Sequence, residues 1–217
     1  MKLKNAIFDM DGTLFDSMFI WENVSARFLA DRGFGMTEGF KERFFPLTIR
    51  DGAELIAQEY DIGKSADEIV IDINDTAEKM YEEEATLKPG VSELLEGMKK
   101  RGVKIALATT TDKYIAEKQL KRFGLFDYFS AIRTCTEAGR GKKFPDVFLQ
   151  AAQMIGATPE ESAVFEDSFF AIRTASAAGF FTVGLGDRSN LPKRDAVIES
   201  ADVFYENIAD FPLEKYF

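Results

Sequence analysis

From Pro89 onward, short apolar runs alternate with amphipathic stretches, and this alternation leaves the chain few folds to adopt. The runs cover residues 104–108, 131–133, 163–165, 182–185 and 203–205, with one more at 5–8. Each reads as a buried parallel strand. The stretches between them, near 91–100, 113–123, 145–155 and 168–178, read as helices. Pro145 suits a first helical position. Gly102, Gly124, Gly156 and Gly179 each follow a helical stretch, as C-terminal caps do. Strands alternating with helices predict an α/β fold with a doubly wound parallel sheet. In such sheets ligands bind beyond the carboxyl ends of the strands.

Residues 17–86 break the pattern. They show no strand and read as three helices, near 18–31, 49–60 and 66–84. Glu78, Glu82, Glu83 and Glu84 form a solvated face on the last of these. Lys88-Pro89-Gly90 is the expected return linker. The expected division is therefore an α/β core of residues 1–16 and 87–217, with an inserted α-helical domain at 17–86. No internal repeat or low-complexity segment is present.

The first strand ends in Asp9-Met10-Asp11-Gly12-Thr13. Residues two apart on an extended chain point to one side, so two carboxylates can meet one substrate there. Crowded carboxylates can be held in different protonation states, one as nucleophile and one as acid. A turn with an Asp-Gly signal is the alternative for this string. The net charge of −10 argues against a nucleic-acid or anionic-membrane partner. It also requires local positive charge or a bound cation to draw an anionic substrate. The chain has no histidine, which excludes Ser-His-Asp, Cys-His and phosphohistidine chemistry and histidine-bound zinc. A single cysteine, Cys135, allows no internal disulfide and fits a reducing compartment. No segment approaches the roughly 20 apolar residues of a membrane span. A soluble cytoplasmic protein is expected. With 21 Phe, most aromatic residues must be core.

Four elements in order resemble the motifs of the haloacid dehalogenase superfamily, which is mostly phosphatases and phosphomutases. They are Asp9-Met10-Asp11-Gly12-Thr13, the strand end Ile105-Ala106-Leu107-Ala108-Thr109, the lysine segment Gly141-Lys142-Lys143-Phe144-Pro145-Asp146, and Val164-Phe165-Glu166-Asp167-Ser168. The resemblance spans essentially the whole chain and implies a Rossmannoid core whose helical insert is a cap of subclass I. It implies Asp9 as nucleophile through an aspartyl-phosphate and Asp11 as general acid and base. Thr109 would donate to a phosphoryl oxygen, with Thr110 beside it as a substrate contact. Lys142 would neutralise the transferring oxygens. The implied cofactor is Mg²⁺, held by Asp9, the Asp11 main-chain carbonyl, Asp167 and Glu166, the last directly or through water. Capping of the next helix by Asp167 or Ser168 is the alternative for that pair. The family usually shows Lys-Pro-x-Pro-Asp, and Lys143 stands here at the first proline; Lys142 is favoured over Lys143.

An aspartate at position 11 is absent from haloacid dehalogenases and phosphonoacetaldehyde hydrolases, so the chain looks like a phosphoryl-transfer member. It is similar to the β-phosphoglucomutase and phosphatase branch. By that resemblance Arg50 and Lys79 would bind the distal part of the substrate, although both also read as surface charges. The mutase uses a cap histidine; Trp21 lies near that place here, which favours hydrolysis, and a cap-core role is the other reading of Trp21. Phe15 and Phe19 are candidates to line the leaving-group pocket. The expected function is Mg-dependent hydrolysis of a small phosphorylated metabolite such as a sugar phosphate. The alternatives are a β-phosphoglucomutase-like sugar phosphomutase and a non-catalytic phospho-ligand binder. Receivers of the response-regulator type share an aspartate, an acidic pair, a Thr and a Lys, but lack the Asp-x-Asp-Gly-Thr string and the insert. The oligomeric state is not readable.

Overall fold

The structure is a computed structural model and describes residues 2–44, 47 and 49–217. Thr48, part of the string around Arg50, lies outside the described residues. The chain divides into two compact units, residues 1–16 with 86–217, and residues 17–85.

The first unit is built on six parallel strands: β1 (Asn5–Phe8), β4 (Lys104–Thr109), β5 (Ala131–Thr134), β6 (Ser162–Glu166), β7 (Phe181–Leu185) and β8 (Val203–Tyr205), in the order β5-β4-β1-β6-β7-β8. Two further strands, β2 (Phe15–Asp16) and β3 (Thr86–Leu87), form an antiparallel ribbon where the chain leaves and re-enters this unit. The sequence showed no strand there because two residues carry no periodicity. The pairing also puts Thr86 in the first unit, one residue before the expected boundary.

Neighbouring residues of the central strands serve opposite faces of the sheet. On one face Ile7, Ala106, Ala108 and Val164 pack with Val147, Phe148 and Ala151 of helix α8 (Asp146–Met154) and with Ala171 and Ala175 of helix α9 (Phe169–Ala177). Cys135 belongs to this cluster, in the packing role expected of it. On the other face Phe8 stacks on Phe165, with ring centroids 4.4 Å apart, and Phe165 meets Phe211 edge-on at 5.0 Å. Helices α5 (Val91–Lys100) and α6 (Lys113–Arg122) follow β3 and β4. Pro145 is the N-cap of α8, one place before its expected position. The four glycines expected to end helices all have positive φ. Three short helices were not foreseen: α7 (Cys135–Ala138), α10 (Arg194–Ser200) and α11 (Leu213–Tyr216). α7 carries a capping box between Thr134 and Glu137, a Thr-x-x-Glu signal visible in the string.

The second unit holds helices α1 (Met18–Ala30), α2 (Phe40–Phe44), α3 (Ile49–Glu59) and α4 (Ala66–Glu84). Its core follows helical spacing: Ile20, Val24 and Phe28 on α1, and Ile69, Ile73, Ala77 and Tyr81 on α4. α4 opens with a capping box between Ser65 and Glu68. The five-residue α2 was not expected; its Phe40 packs edge-on against Tyr60 at 5.2 Å. Among the described residues no helix is long and apolar enough to cross a membrane.

Candidate active site

The sheet register decides which side chains meet. Phe8 of β1 lies opposite Leu107 of β4 and Phe165 of β6. Asp9 continues β1, and its N–H donates to the Phe165 carbonyl at 3.0 Å. It therefore emerges between the ends of β4 and β6, which close on Thr109 and Glu166.

Beyond Asp9 the backbone curls into a tight loop. The N–H groups of Leu14 and Phe15 both donate to the Met10 carbonyl, at 2.9 and 3.0 Å, and Gly12 N–H donates to Phe15. Gly12 has φ of +82°, where a side chain costs about 1–2 kcal/mol. The curl buries Asp11, whose Oδ2 accepts from the Thr111 hydroxyl at 2.6 Å.

Asp9, Glu166 and Asp167 are all buried and offer carboxylate oxygens within 4.8 Å of one another. Lys142, from the loop between α7 and α8, is also buried. Its ammonium donates to Asp9 Oδ1 and, at 2.7 Å, to Glu166 Oε2. Lys143 is exposed, so the lysine brought to the carboxylates is Lys142. The other oxygen of Glu166 accepts from Ser168 N–H at 3.1 Å, while Ser168 stands at the start of α9 without a side-chain cap bond.

Charge is under stress here. Burial, then the Glu166 charge, push the Asp9 carboxyl up to about 8, against the pull of Lys142. Burial and the charges of Glu166, Asp9 and Asp187 raise Asp167 well above the carboxylate range. Burial works against the Lys142 charge, but Asp9 and Glu166 outweigh it and hold the ammonium above the lysine range. Three buried carboxylates thus face one bonded ammonium. A proton or a hard cation with oxygen ligands relieves that excess, so the donor set fits a metal ion.

Thr109 is buried, and its Oγ1 accepts from Thr111 N–H at 3.0 Å. Thr110, expected as a substrate contact, is exposed. Thr111 was not singled out, because three consecutive hydroxyls give no cue as to which turns inward. Asn190 was also missed; its amide donates to the Asp167 carbonyl at 2.9 Å from a loop 23 residues later. Phe15, a candidate for the leaving-group pocket, is instead fully buried against Phe123, with ring centroids 5.3 Å apart.

Arg50 and Lys79 lie on α3 and α4 of the second unit, both exposed. Arg50 is ion-paired within that unit to Asp67 and, at 3.2 Å, to Glu54. The Trp21 indole donates to the Tyr81 hydroxyl at 2.9 Å, inside the same unit.

A family model described as haloacid dehalogenase-like hydrolase matches residues 3–179. The phosphorylated carbohydrates phosphatase of Thermotoga maritima is 29% identical over 177 residues, 82% of each chain. The beta-phosphoglucomutase of Bacillus subtilis is 29% identical over 214 residues, covering 94% of this chain and 93% of that one. The crystal structure of CbbY from Rhodobacter sphaeroides in complex with phosphate covers 96% of both chains with a TM-score of 0.81; at 20% identity it is a likeness of fold.

Proposed function

The chain belongs to the haloacid dehalogenase-like hydrolase family, and on that premise we propose that it is a Mg²⁺-dependent phosphatase of small phosphorylated metabolites, sugar phosphates among them. The observation that carries the reading is the buried Asp9 carboxylate, bonded to Lys142 and grouped with the Glu166 and Asp167 carboxylates. The likeness to a phosphorylated carbohydrates phosphatase and a beta-phosphoglucomutase supports the substrate class.

In this reading Asp9 attacks the phosphorus of a monoester dianion. A bond from its carboxylate oxygen to phosphorus forms, and the ester P–O bond breaks. Asp11 gives its proton to the departing alkoxide. A water molecule then loses a proton to Asp11 and attacks the same phosphorus, which releases inorganic phosphate and restores the Asp9 carboxylate. Thr111 orients Asp11 for both transfers through its hydroxyl. Lys142 offsets negative charge on the transferring oxygens and keeps the nucleophile in place. Thr109 closes the phosphate subsite from the end of β4, with Thr110 beside it. When bound by Asp9, the Asp11 carbonyl, Asp167 and Glu166, Mg²⁺ lowers the repulsion between the carboxylate and the dianion. The inserted helical unit takes the part of the cap, with Arg50 and Lys79 as contacts to the distal part of the substrate.

Hydrolysis is favoured over mutase action because the chain has no histidine and the indole N–H of Trp21 is engaged with Tyr81. The lone cysteine fits a reducing, cytoplasmic setting. A panel of metabolite phosphates, scored for phosphate release with and without Mg²⁺ and beside a sugar-phosphate isomerisation assay, tests the reading. Asp9→Asn is expected to abolish release. Residual turnover above a few per cent removes Asp9 as nucleophile, and isomerisation without release turns the assignment to a mutase.

A further inference from the structure

Lys88 follows β3 directly and lies in the first unit. Its ammonium donates to the Gly12 carbonyl and, at 3.0 Å, to the Gly186 carbonyl, and it pairs with Asp187 Oδ2 at 2.8 Å. Three donors meet three acceptors, so this ammonium is saturated. The side chains of Lys88 and Asp187 are 16% and 4% exposed. Gly12 is the residue after Asp11. Asp187 opens the loop after β7, where its Oδ1 accepts from Ser189 N–H and hydroxyl at 2.9 and 2.7 Å. The Asp187 N–H reaches Asn190 Oδ1 at 3.3 Å, and the Asn190 amide donates to the Asp167 carbonyl. A second tie, Arg188 to Asp16 at 2.6 Å, holds the same loop to β2. Asp187 is also one of the charges that bear on Asp167.

We propose that Lys88 is a positioning residue of this site: it fastens the turn after Asp11 to the loop behind Asp167, and its charge cancels that of Asp187 so that a divalent cation meets only the Asp9, Glu166 and Asp167 carboxylates. The proposal rests on the Mg²⁺-dependent phosphatase reading. It assigns Lys88 two separable jobs. The hydrogen bond to the Gly12 carbonyl shapes the Asp11 turn, and so governs turnover. The pairing with Asp187 balances charge, and so governs cation affinity.

The test uses the full chain as wild type, Lys88→Met, Asp187→Asn and the double variant, read by Mg²⁺ titration calorimetry at low salt and by kcat and KM for a metabolite phosphate. Lys88→Met leaves Asp187 buried without its cation. It is expected to bind Mg²⁺ at least about threefold more tightly and to lose about tenfold or more in kcat. Asp187→Asn keeps the Ser189 cap but leaves Lys88 in excess, and should weaken Mg²⁺ by a similar factor. The double variant should return Mg²⁺ affinity to within about twofold of wild type, while kcat stays low because Gly12 still lacks its donor. If Lys88→Met lowers only the melting temperature, with Mg²⁺ affinity and kcat at wild-type values, Lys88 is a strut and the proposal is overturned. Should Lys88→Met fail to fold, an unchanged Mg²⁺ affinity in Asp187→Asn overturns the charge-balancing role by itself. Wild type that neither binds Mg²⁺ nor releases phosphate sinks the phosphatase reading, and the proposal falls with it.

Discussion

Replacing Asp9 with asparagine is predicted to make the metal-free protein more stable above pH 8 while abolishing turnover. The asparagine keeps the shape and can still accept from Lys142 through its amide oxygen. What it removes is a charge that the fold disfavours. The native carboxyl holds its proton up to about 8, against 3.8 ordinarily. The folded state therefore binds more protons than the unfolded chain between about pH 4 and pH 8, and stability falls through that window as pH rises. At 1.36 kcal/mol per pH unit, the ceiling on the loss is roughly 6 kcal/mol. If a third of it is realised, about 2 kcal/mol separates the two proteins at pH 8.5, or ~4–8 °C in melting temperature for a chain of this size. Lys142 holds its proton above the ordinary lysine range and stays charged throughout the window. Asp167 is raised as well, partly by the Asp9 charge, so the substitution also relieves Asp167 and acts in the same direction. The assay is thermal melting in chelator at pH 4.5, 6.5 and 8.5. The curves should coincide at the acid end and separate as pH rises. Mg²⁺ at 100 times its dissociation constant adds about 2.7 kcal/mol to a protein that binds it, and should close the gap by favouring wild type. If Asp9→Asn melts at or below wild type at pH 8.5 in chelator, the charge-stress argument is refuted.

Lys142→Ala should cost roughly 100-fold or more in kcat, and Lys143→Ala, on an exposed side chain, should cost little; phosphate release from a single substrate compares them. Thr111→Val removes the hydroxyl that bonds Asp11. It should slow alkyl phosphates about tenfold and leave aryl phosphates with good leaving groups much less affected, and equal losses on both would contradict its role in orienting the acid. Gly90→Ala puts a Cβ 2.6 Å from the Ala209 Cα at a φ of +88°. It should destabilise by about 2–5 kcal/mol, from left-handed strain plus overpacking, as read from denaturant midpoints.

The sequence revealed most where one local rule decides the outcome. The bounds of β1, β8, α4 and α5 match their apolar periods to the residue. Asp9, Glu166 and Asp167 meet because each lies at or just past the end of a strand, and strand ends in a parallel sheet share an edge. Lys142 was separable from Lys143 only by family pattern; the structure separates them by burial. What stayed hidden depends on chain paths between distant segments. No local signal distinguishes Thr111 from its two neighbours. Lys88 and Asp187 lie 99 positions apart, and Lys88 reads in the string as part of a linker. The β2–β3 ribbon owes its existence to the closure of the insert rather than to the character of its own four residues.

The central place of β1 has a consequence for synthesis. β1 precedes in the chain both of its neighbours, strands that begin at Lys104 and Ser162. At about 5–20 residues per second, the ribosome needs roughly 8–30 s after Asn5 to reach the second of them. For that interval the strand that leads into Asp9 has no completed sheet to join. Residues 17–85 meanwhile emerge as a contiguous piece with its own core, so the guest can fold before its host.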